Sequence, residues 1–419
     1  MHDTAAISAD QVKLVLDVSR LLVVTADLDL LLKRIAEAAT SLLSTERASI
    51  FLHDPQTNEL WTKVALGASQ IRVPATAGVV GHVFKTNQLV EVPHPYDDPR
   101  FNPDPDHNQG FVTRNLLTAP MHDVDGRPLG VLQAVNRIGG SFTPADHAMI
   151  TLLADQAGVA IQRYRLQQEV TRATSLRHEM DLAQKVQAAM IPAQPPHVPN
   201  LNVVGWMRSA SFTGGDCYDL WPMDNDRLGI FLGDASGHGV PAALVISQVR
   251  SLIRALAEVN RDPTWLLTSV NSRLAYDLEA GRFATALVGS LDSQGSLRWS
   301  SAGHGPVLLR PRPDAPFQAI EAMGPPIGIS PDLRIEPPMS VNLEPGGLLV
   351  LMSDGVFESR SPAGTFLGLD RVIEVLDQSR TLSPSEMLAS LRQLLHQWQG
   401  HEEPMDDQTL VIAQYCPLP

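Results

Sequence analysis

Two patterns of apolar and polar positions divide the 419-residue chain. In the first half, Val12, Leu14, Val15 and Leu16, then Leu28, Leu31, Leu32 and Ile35, recur at helical spacing and predict helix over residues 11–45. "ASIFLHDPQTNELWTKVAL" reads as strand, turn, strand, and "NLLTAPMHDVDGRPLGVLQAVNR" as a second hairpin turning at Asp125-Gly126. Between them "VPHPYDDPRFNPDPDHNQG" is too rich in Pro, Asp and Asn for regular structure and is expected to be an ordered loop. Thr143 as N-cap and Pro144 at the first helical position then open a long helix. It meets no proline until "IPAQPPHVPN", whose four prolines forbid continuation. Leu166, Val170, Ala173, Leu176, Met180, Ala183, Val186 and Met190 follow an imperfect three-four spacing, weakened by Arg163 and Arg177. That pattern fits a signalling helix paired in a dimer, or equally a single amphipathic helix packed on its own domain.

From Leu201 the pattern changes to short strand-like runs: "LNVVGWM", "RLGIFLGD", "FATALVGSLD", "SLRWSSAG", "PVLLRP", "GLLVLMSDG" and "QTLVIAQY". "PAALVISQVRSLIRALAEV", "PTWLLTSVNSRLAYDL" and "SPSEMLASLRQLLHQWQ" read as helices among them. Strands grouped between helices predict an α+β class, with sheets covered by helices. Residues 1–165, 166–195 and 196–419 are the expected first domain, linking helix and second domain.

Composition narrows the partners. Lys and Arg total 32 against 46 Asp and Glu, for a net charge of -14, which disfavours nucleic acid or an anionic membrane as the main partner. Two cysteines, Cys217 and Cys416, support neither a disulfide framework nor a structural zinc site. "MHDTAAISAD" lacks the features of a signal peptide, and no apolar run reaches a membrane span, so the expected location is cytoplasmic.

The candidate chemistry is acidic. "LGIFLGDASGHG" carries Asp234, "GLLVLMSDGVFE" carries Asp354, and "EEPMDDQTLVIAQY" sets Asp406 and Asp407 before a strand; "GGDCYD" adds Asp216 and Asp219. Any one of these reads as a turn residue or a helix cap. The same context in four segments points instead to strand ends meeting at one sheet edge. Converging carboxylates repel unless cations lie between them. Oxygen donors with few histidines suit Mg²⁺ or Mn²⁺, and two such ions can activate water for in-line attack on phosphorus.

"GGDCYDL", "GDASGHGVPAAL", "SAGHGPVLL", "PGGLLVLMSDGVFESR" and "DDQTLVI", in this order over residues 180–415, resemble the metal-dependent protein phosphatases, in their bacterial SpoIIE and sigma-regulator branch. The resemblance implies a β-sandwich flanked by helices with two Mg²⁺ or Mn²⁺ ions at one end. It implies that Asp234 bridges both ions, the carbonyl of Ala235 binds one, Asp354 and Asp406 bind the other, and Asp216 lies close by through water. Asp406 is chosen over Asp407 because the family's acid precedes a D/N-x-T/S run, an assignment open to a slip of one residue. His238 reads equally as a proton donor to the leaving oxygen or as the pin of a glycine-rich turn. His304 reads as structural, and Cys217, among acids, as packing. The family's Pro-Ala pair is replaced by Ser209-Ala210, and Arg208 stands only by position as a candidate for phosphate contact.

Residues 25–165 resemble a GAF domain, through "ERASIFLHDPQTNELWTKVA", "GVVGHVFKTNQLVEVPHPYDDPRFN" and the stretches that follow. Asn136-Arg137, Phe142 and Asp146-His147 give a partial version of a motif that buttresses that fold, so the small-molecule ligand stays unknown. No cysteine lies in this half for a linked bilin; His82, His94, His107 and His122 are haem candidates better read as loop residues. Together the resemblances imply a serine/threonine phosphatase regulated by a GAF sensor. Its expected substrate is a phosphorylated protein of the anti-anti-sigma type, and its expected state a homodimer. The alternatives are a catalytically silent scaffold that binds a partner protein, and a nucleotide cyclase reading of Gly-Gly-Asp for which no nucleotide half-site is found.

Overall fold

The structure, a computed structural model, describes residues 27–65, 71–224, 226–278, 281–400 and 403–417. The helical pattern expected over residues 11–26 lies outside the described residues. The chain divides into two compact units, Met1–Thr174 and Ser175–Pro419.

In the first unit, β1 (Thr45–Asp54), β2 (Glu59–Ala65), β3 (Ile71–Pro74), β4 (Val90–Val92), β5 (Leu116–His122) and β6 (Pro128–Arg137) form one antiparallel sheet in the order β3-β2-β1-β6-β5-β4. Strand alternation sends β1 residues Ile50 and Leu52 to one face and Phe51 to the other. The first face is covered by α1 (Leu28–Leu42) and, through Ile150, Leu153 and Ala157, by the long helix; the second by α2 (Gly78–Thr86), through Val79, Val80 and Val83. The segment expected to lack regular structure contains α3 (Asp104–Gln109) and a 3-10 turn at Pro95–Asp97. Proline is tolerated in a helix's first turn, and Pro105 sits there; Gly110, at positive φ, closes the helix.

α4 (Pro144–Ala188) runs unbroken for 45 residues. Its start is a reciprocal cap: the Asp146 amide donates to Thr143 Oγ1 at 3.3 Å, and the Thr143 amide donates to Asp146 Oδ2 at 2.7 Å.

In the second unit, β7 (Leu201–Arg208), β8 (Asp216–Met223), β9 (Arg227–Ala235), β10 (Ala284–Asp292), β11 (Ser296–Ala302), β12 (Val307–Arg310), β13 (Gln318–Ile320), β14 (Met339–Asn342), β15 (Leu348–Met352) and β16 (Gln408–Tyr415) form two five-stranded sheets, β14-β11-β10-β9-β8 and β13-β12-β15-β16-β7. Tyr218, Leu220, Ile230 and Leu232 of one sheet meet Leu349, Leu351, Val411 and Ala413 of the other in a shared inner core. The outward residues of β8 and β9, Cys217, Trp221 and Phe231, pack under α5 (Val240–Ala257) and α6 (Pro263–Asp277). After α7 (Asp354–Phe357), α8 (Leu369–Gln378) and α9 (Pro384–Trp398) cover Val350, Met352, Leu410 and Ile412 on the opposite side. The result is four layers: helix, sheet, sheet, helix.

Sequence reading places every long strand of this unit except β8. That strand is buried from Asp216 to Trp221 and so shows no alternation of apolar and polar residues. Helix α5 is, by length and composition alone, apolar enough to span a membrane. It was not anticipated as such, and here its Ala242, Val245, Ile246, Val249 and Ile253 pack into the core over the β8–β9 sheet.

Candidate active site

Strand register brings the predicted acids to one edge of the sandwich. In the antiparallel β8–β9 pair Asp216 lies directly opposite Asp234, with Ala235 next along β9. In the antiparallel β15–β16 pair Met352 lies opposite Leu410, so Asp354, just past β15, and Asp406, just before β16, share the same end. The two sheets are tied there by Thr409 Oγ1 of β16, which donates to Asp216 Oδ2 of β8 at 2.6 Å.

The Gly-Gly-Asp triplet is shaped by what touches it. Asp407, buried, accepts from the Ala210 amide on Oδ1 at 2.8 Å, and on Oδ2 from the amides of Gly215 at 2.6 Å and Asp216 at 3.3 Å. A Cβ on Gly214 would sit 2.2 Å from Asp407 Oδ2, and one on Gly215 2.6 Å from the Ala235 carbonyl and 3.0 Å from Asp234 Oδ1. Only glycine permits these approaches. The last turn of α4 reaches the same loop. Buried Gln187 donates from Nε2 to the Gly214 carbonyl at 2.7 Å and accepts the Gly214 amide on Oε1 at 3.0 Å.

Asp406 and Asp407 therefore have different tasks. Asp407 holds the Gly214–Asp216 loop, while exposed Asp406 has one oxygen on the Asp407 amide at 2.8 Å. Sequence reading weighed Asp407 only as a possible ligand and missed its role as a clamp, along with Gln187. Consecutive acids before a strand must point to different sides, which is the one signal it carries.

The electrostatics report crowding. Burial, then the charges of Asp354, Asp406 and Asp407, push Asp234 up to about 8. Asp216 is driven well above the ordinary carboxylate range by burial and by Asp234. Asp354 and Asp406 are also raised, mainly because the surrounding protein displaces part of the water around each carboxyl, although both residues stay open at the surface. Carboxylates that repel one another along one sheet edge are the arrangement that a divalent cation offsets, and the donors present are oxygens, which fit Mg²⁺ or Mn²⁺. Among the described residues no three acidic, histidine or cysteine side chains already surround a common point. Mg²⁺ characteristically keeps several waters and takes one or two carboxylates, so the donor set fits ions shared along the edge rather than one closed cage.

The remaining candidates separate clearly. His238 is exposed and within electrostatic reach of Asp406, whose pKa its charge lowers. His304 is buried, with Nδ1 2.9 Å from Thr285 Oγ1, and burial lowers it to about 4. Cys217 is buried and its thiol is pushed up to about 12, as expected of a packing residue. Asp219, three residues from Asp216, has the opposite strand parity. It leaves the edge for an ion pair with Arg250 at 2.8 Å on the outer face. Arg208 pairs with Glu403 at 2.6 Å.

In the first unit a cavity of about 180 Å³ is lined by Phe51, Phe101, Phe111, Arg47, Thr113 and Gln133 among others, and by none of the four candidate histidines. His122 is held between Asp155 at 3.0 Å and Asn87 at 2.8 Å. The partial motif is structural. Asn136 accepts the Arg114 amide at 2.6 Å, Arg137 pairs with Asp146 at 2.6 Å, and Phe142 is buried.

Comparison with known proteins matches each unit. Residues 224–415 match the family Stage II sporulation protein E (SpoIIE), a span that includes Asp234, Ala235, Asp354 and Asp406, and residues 27–161 match the GAF domain. The chain is 27% identical over 262 residues to the phosphoserine phosphatase RsbU of Bacillus subtilis, covering 61% of this chain and 75% of that protein. It is 25% identical over 243 residues to the phosphoserine phosphatase RsbP of the same organism, covering 57% of this chain and 58% of that one. The SiaA-PP2C domain of Pseudomonas aeruginosa superposes with a TM-score of 0.51 at 21% identity, over 58% of this chain and 98% of that structure, a likeness of fold.

Proposed function

We propose, for a chain that joins a GAF domain to a SpoIIE-type phosphatase domain, that it is a Mg²⁺- or Mn²⁺-dependent phosphatase acting on phosphoserine and phosphothreonine of a signalling protein. The observation that carries the reading is the convergence of Asp216, Asp234, Asp354 and Asp406 on one sandwich edge, with raised pKa values and oxygen donors only.

In this reading Asp234, the Ala235 carbonyl, Asp216, Asp354 and Asp406 are the residues that would hold the ions. The ions, when bound, supply Lewis-acid polarisation of the phosphoryl oxygens and a more acidic water. Asp407 and the two glycines keep Asp216 and the Ala235 carbonyl in register. Exposed His238, within electrostatic reach of Asp406, is in this reading the proton donor to the leaving serine oxygen. Gln187 gives the GAF-bearing helix a direct grip on Gly214, so a shift of α4 moves the loop that carries Asp216.

Likeness to two phosphoserine phosphatases supports phosphoserine as the main substrate, and likeness to the SpoIIE branch supports a small anti-anti-sigma-like protein as its bearer. Leu152, Val159 and Leu166, exposed and seven residues apart on α4, support a homodimer through that helix. Two free cysteines support a reducing, cytoplasmic setting. The test is hydrolysis of p-nitrophenyl phosphate with and without Mn²⁺, beside Asp234→Asn. The expected result is metal-dependent turnover that falls about 100-fold or more in the variant, about 2.7 kcal/mol of barrier. No metal-dependent turnover in the wild-type chain would leave the scaffold reading in its place.

A further inference from the structure

We propose that the hairpin formed by residues 358–368 is the specificity surface for the protein substrate, with Arg360 gripping the chain that flanks the phosphorylated serine. This rests on the phosphatase reading above.

The hairpin starts where α7 ends, four residues after Asp354. Arg360 pairs with Phe366 across it, and the Ser361 amide donates to the Thr365 carbonyl at 2.9 Å. Its base is clamped from two sides. Trp398 Nε1 donates to the carbonyls of Ser359 at 3.2 Å and Thr365 at 3.3 Å. Gln408, buried and two residues beyond Asp406, donates to Ser359 Oγ at 2.8 Å. The hairpin and Asp406 thus share one rigid anchor, so a substrate held by the first is held in register with the second.

Arg360, Phe366, Glu403, Met405 and Asp406 line one cavity of about 210 Å³. Phe366 is 46% and Met405 82% exposed, two large apolar side chains on an otherwise polar rim. Such residues beside a reactive centre mark a contact surface. The Arg360 guanidinium carbon lies over the Phe366 ring, 4.3 Å from its centroid, and pairs with no carboxylate among the described residues. The neighbouring Arg208 is already committed to Glu403. A guanidinium over an aromatic ring and without a carboxylate partner suits a carboxylate or main-chain carbonyls, while Phe366 and Met405 suit an aliphatic side chain. The occupant that fits is an extended segment with an apolar residue next to the phosphoserine and an acidic one beyond it.

Two nine-residue phosphoserine peptides test this, one flanked by leucine and aspartate and one by alanine alone, with p-nitrophenyl phosphate as a reference lacking any flank. The readout is kcat/KM for each peptide divided by kcat/KM for p-nitrophenyl phosphate, which cancels losses of folded protein or of chemistry common to all three. The wild-type ratio is expected to be at least tenfold higher for the leucine–aspartate peptide. Arg360→Ala and Phe366→Ala should each bring it to the alanine-peptide value, and Arg360→Lys should restore only part. Equal ratios for the two peptides in the wild type would overturn the proposal, as would variants that keep the wild-type preference. Wild-type failure on p-nitrophenyl phosphate with Mn²⁺ would instead overturn the phosphatase reading on which it stands.

Discussion

Asp407→Asn perturbs the site through a single point. In the wild type one oxygen takes the Ala210 amide at 2.8 Å, and the other takes the amides of Gly215 at 2.6 Å and Asp216 at 3.3 Å. Asparagine keeps the shape but can turn its oxygen to only one side, so an NH₂ group then faces a backbone N–H on the other. A hydrogen bond to a charged group contributes about 1.5–3 kcal/mol, so losing one arm and the charge on both removes roughly 2–4 kcal/mol of local stability. Removing a negative charge near Asp234 and Asp354 relieves some repulsion and favours the lower end. At about 1.4 kcal/mol per decade, amides over residues 210–216 should exchange roughly 30- to 700-fold faster. Hydrogen–deuterium exchange of the whole chain measures this locally, and a parallel Mn²⁺ titration should show weaker binding. Unchanged exchange in this segment, with unchanged Mn²⁺ affinity, would refute the assignment of Asp407 as the clamp.

Gly215→Ala places a methyl group 2.6 Å from the Ala235 carbonyl and 3.0 Å from Asp234 Oδ1, so Mn²⁺-dependent turnover should drop about 100-fold or more in a chain with an unchanged circular dichroism spectrum. Gln187→Ala strands the buried amide and carbonyl of Gly214, at about 1–3 kcal/mol each, and should raise the Mn²⁺ concentration for half-maximal activity; an unchanged value would remove Gln187 from the coupling. The metal-free chain should lose stability as pH rises from 6.5 to 8. The folded carboxylates titrate above their unfolded values, Asp234 at about 8, so their contribution is full below about 4 and is lost through this window. His304, lowered to about 4, destabilises only below about 6.5 and stays out of it. Urea midpoints in chelator, which should fall with pH and recover when Mn²⁺ is added at pH 8, check the sign.

The strands that feed the site were readable because apolar runs ending in acid stand out at Asp234 and Asp354. Strand β8 was not, since a strand buried on both faces looks like any apolar segment and its first residue is a carboxylate. The short helix Asp104–Gln109 hid behind two prolines, of which Pro103 is its N-cap and Pro105 sits in its first turn. Asp219 looked as good as Asp216 until strand parity sent it to Arg250. The division of labour between Asp406 and Asp407 depends on three amides from a segment nearly 200 residues earlier, which no local pattern records.

Anomalous diffraction at the manganese edge, from crystals of the full chain grown with Mn²⁺, tests the central claim most directly. The account predicts two peaks at the sandwich edge, one shared by Asp234 and the Ala235 carbonyl, the other by Asp234, Asp354 and Asp406, with Asp407 still on the amides of Ala210 and Gly215. No peak at this edge, or a peak held by Asp407 in place of Asp406, would contradict it.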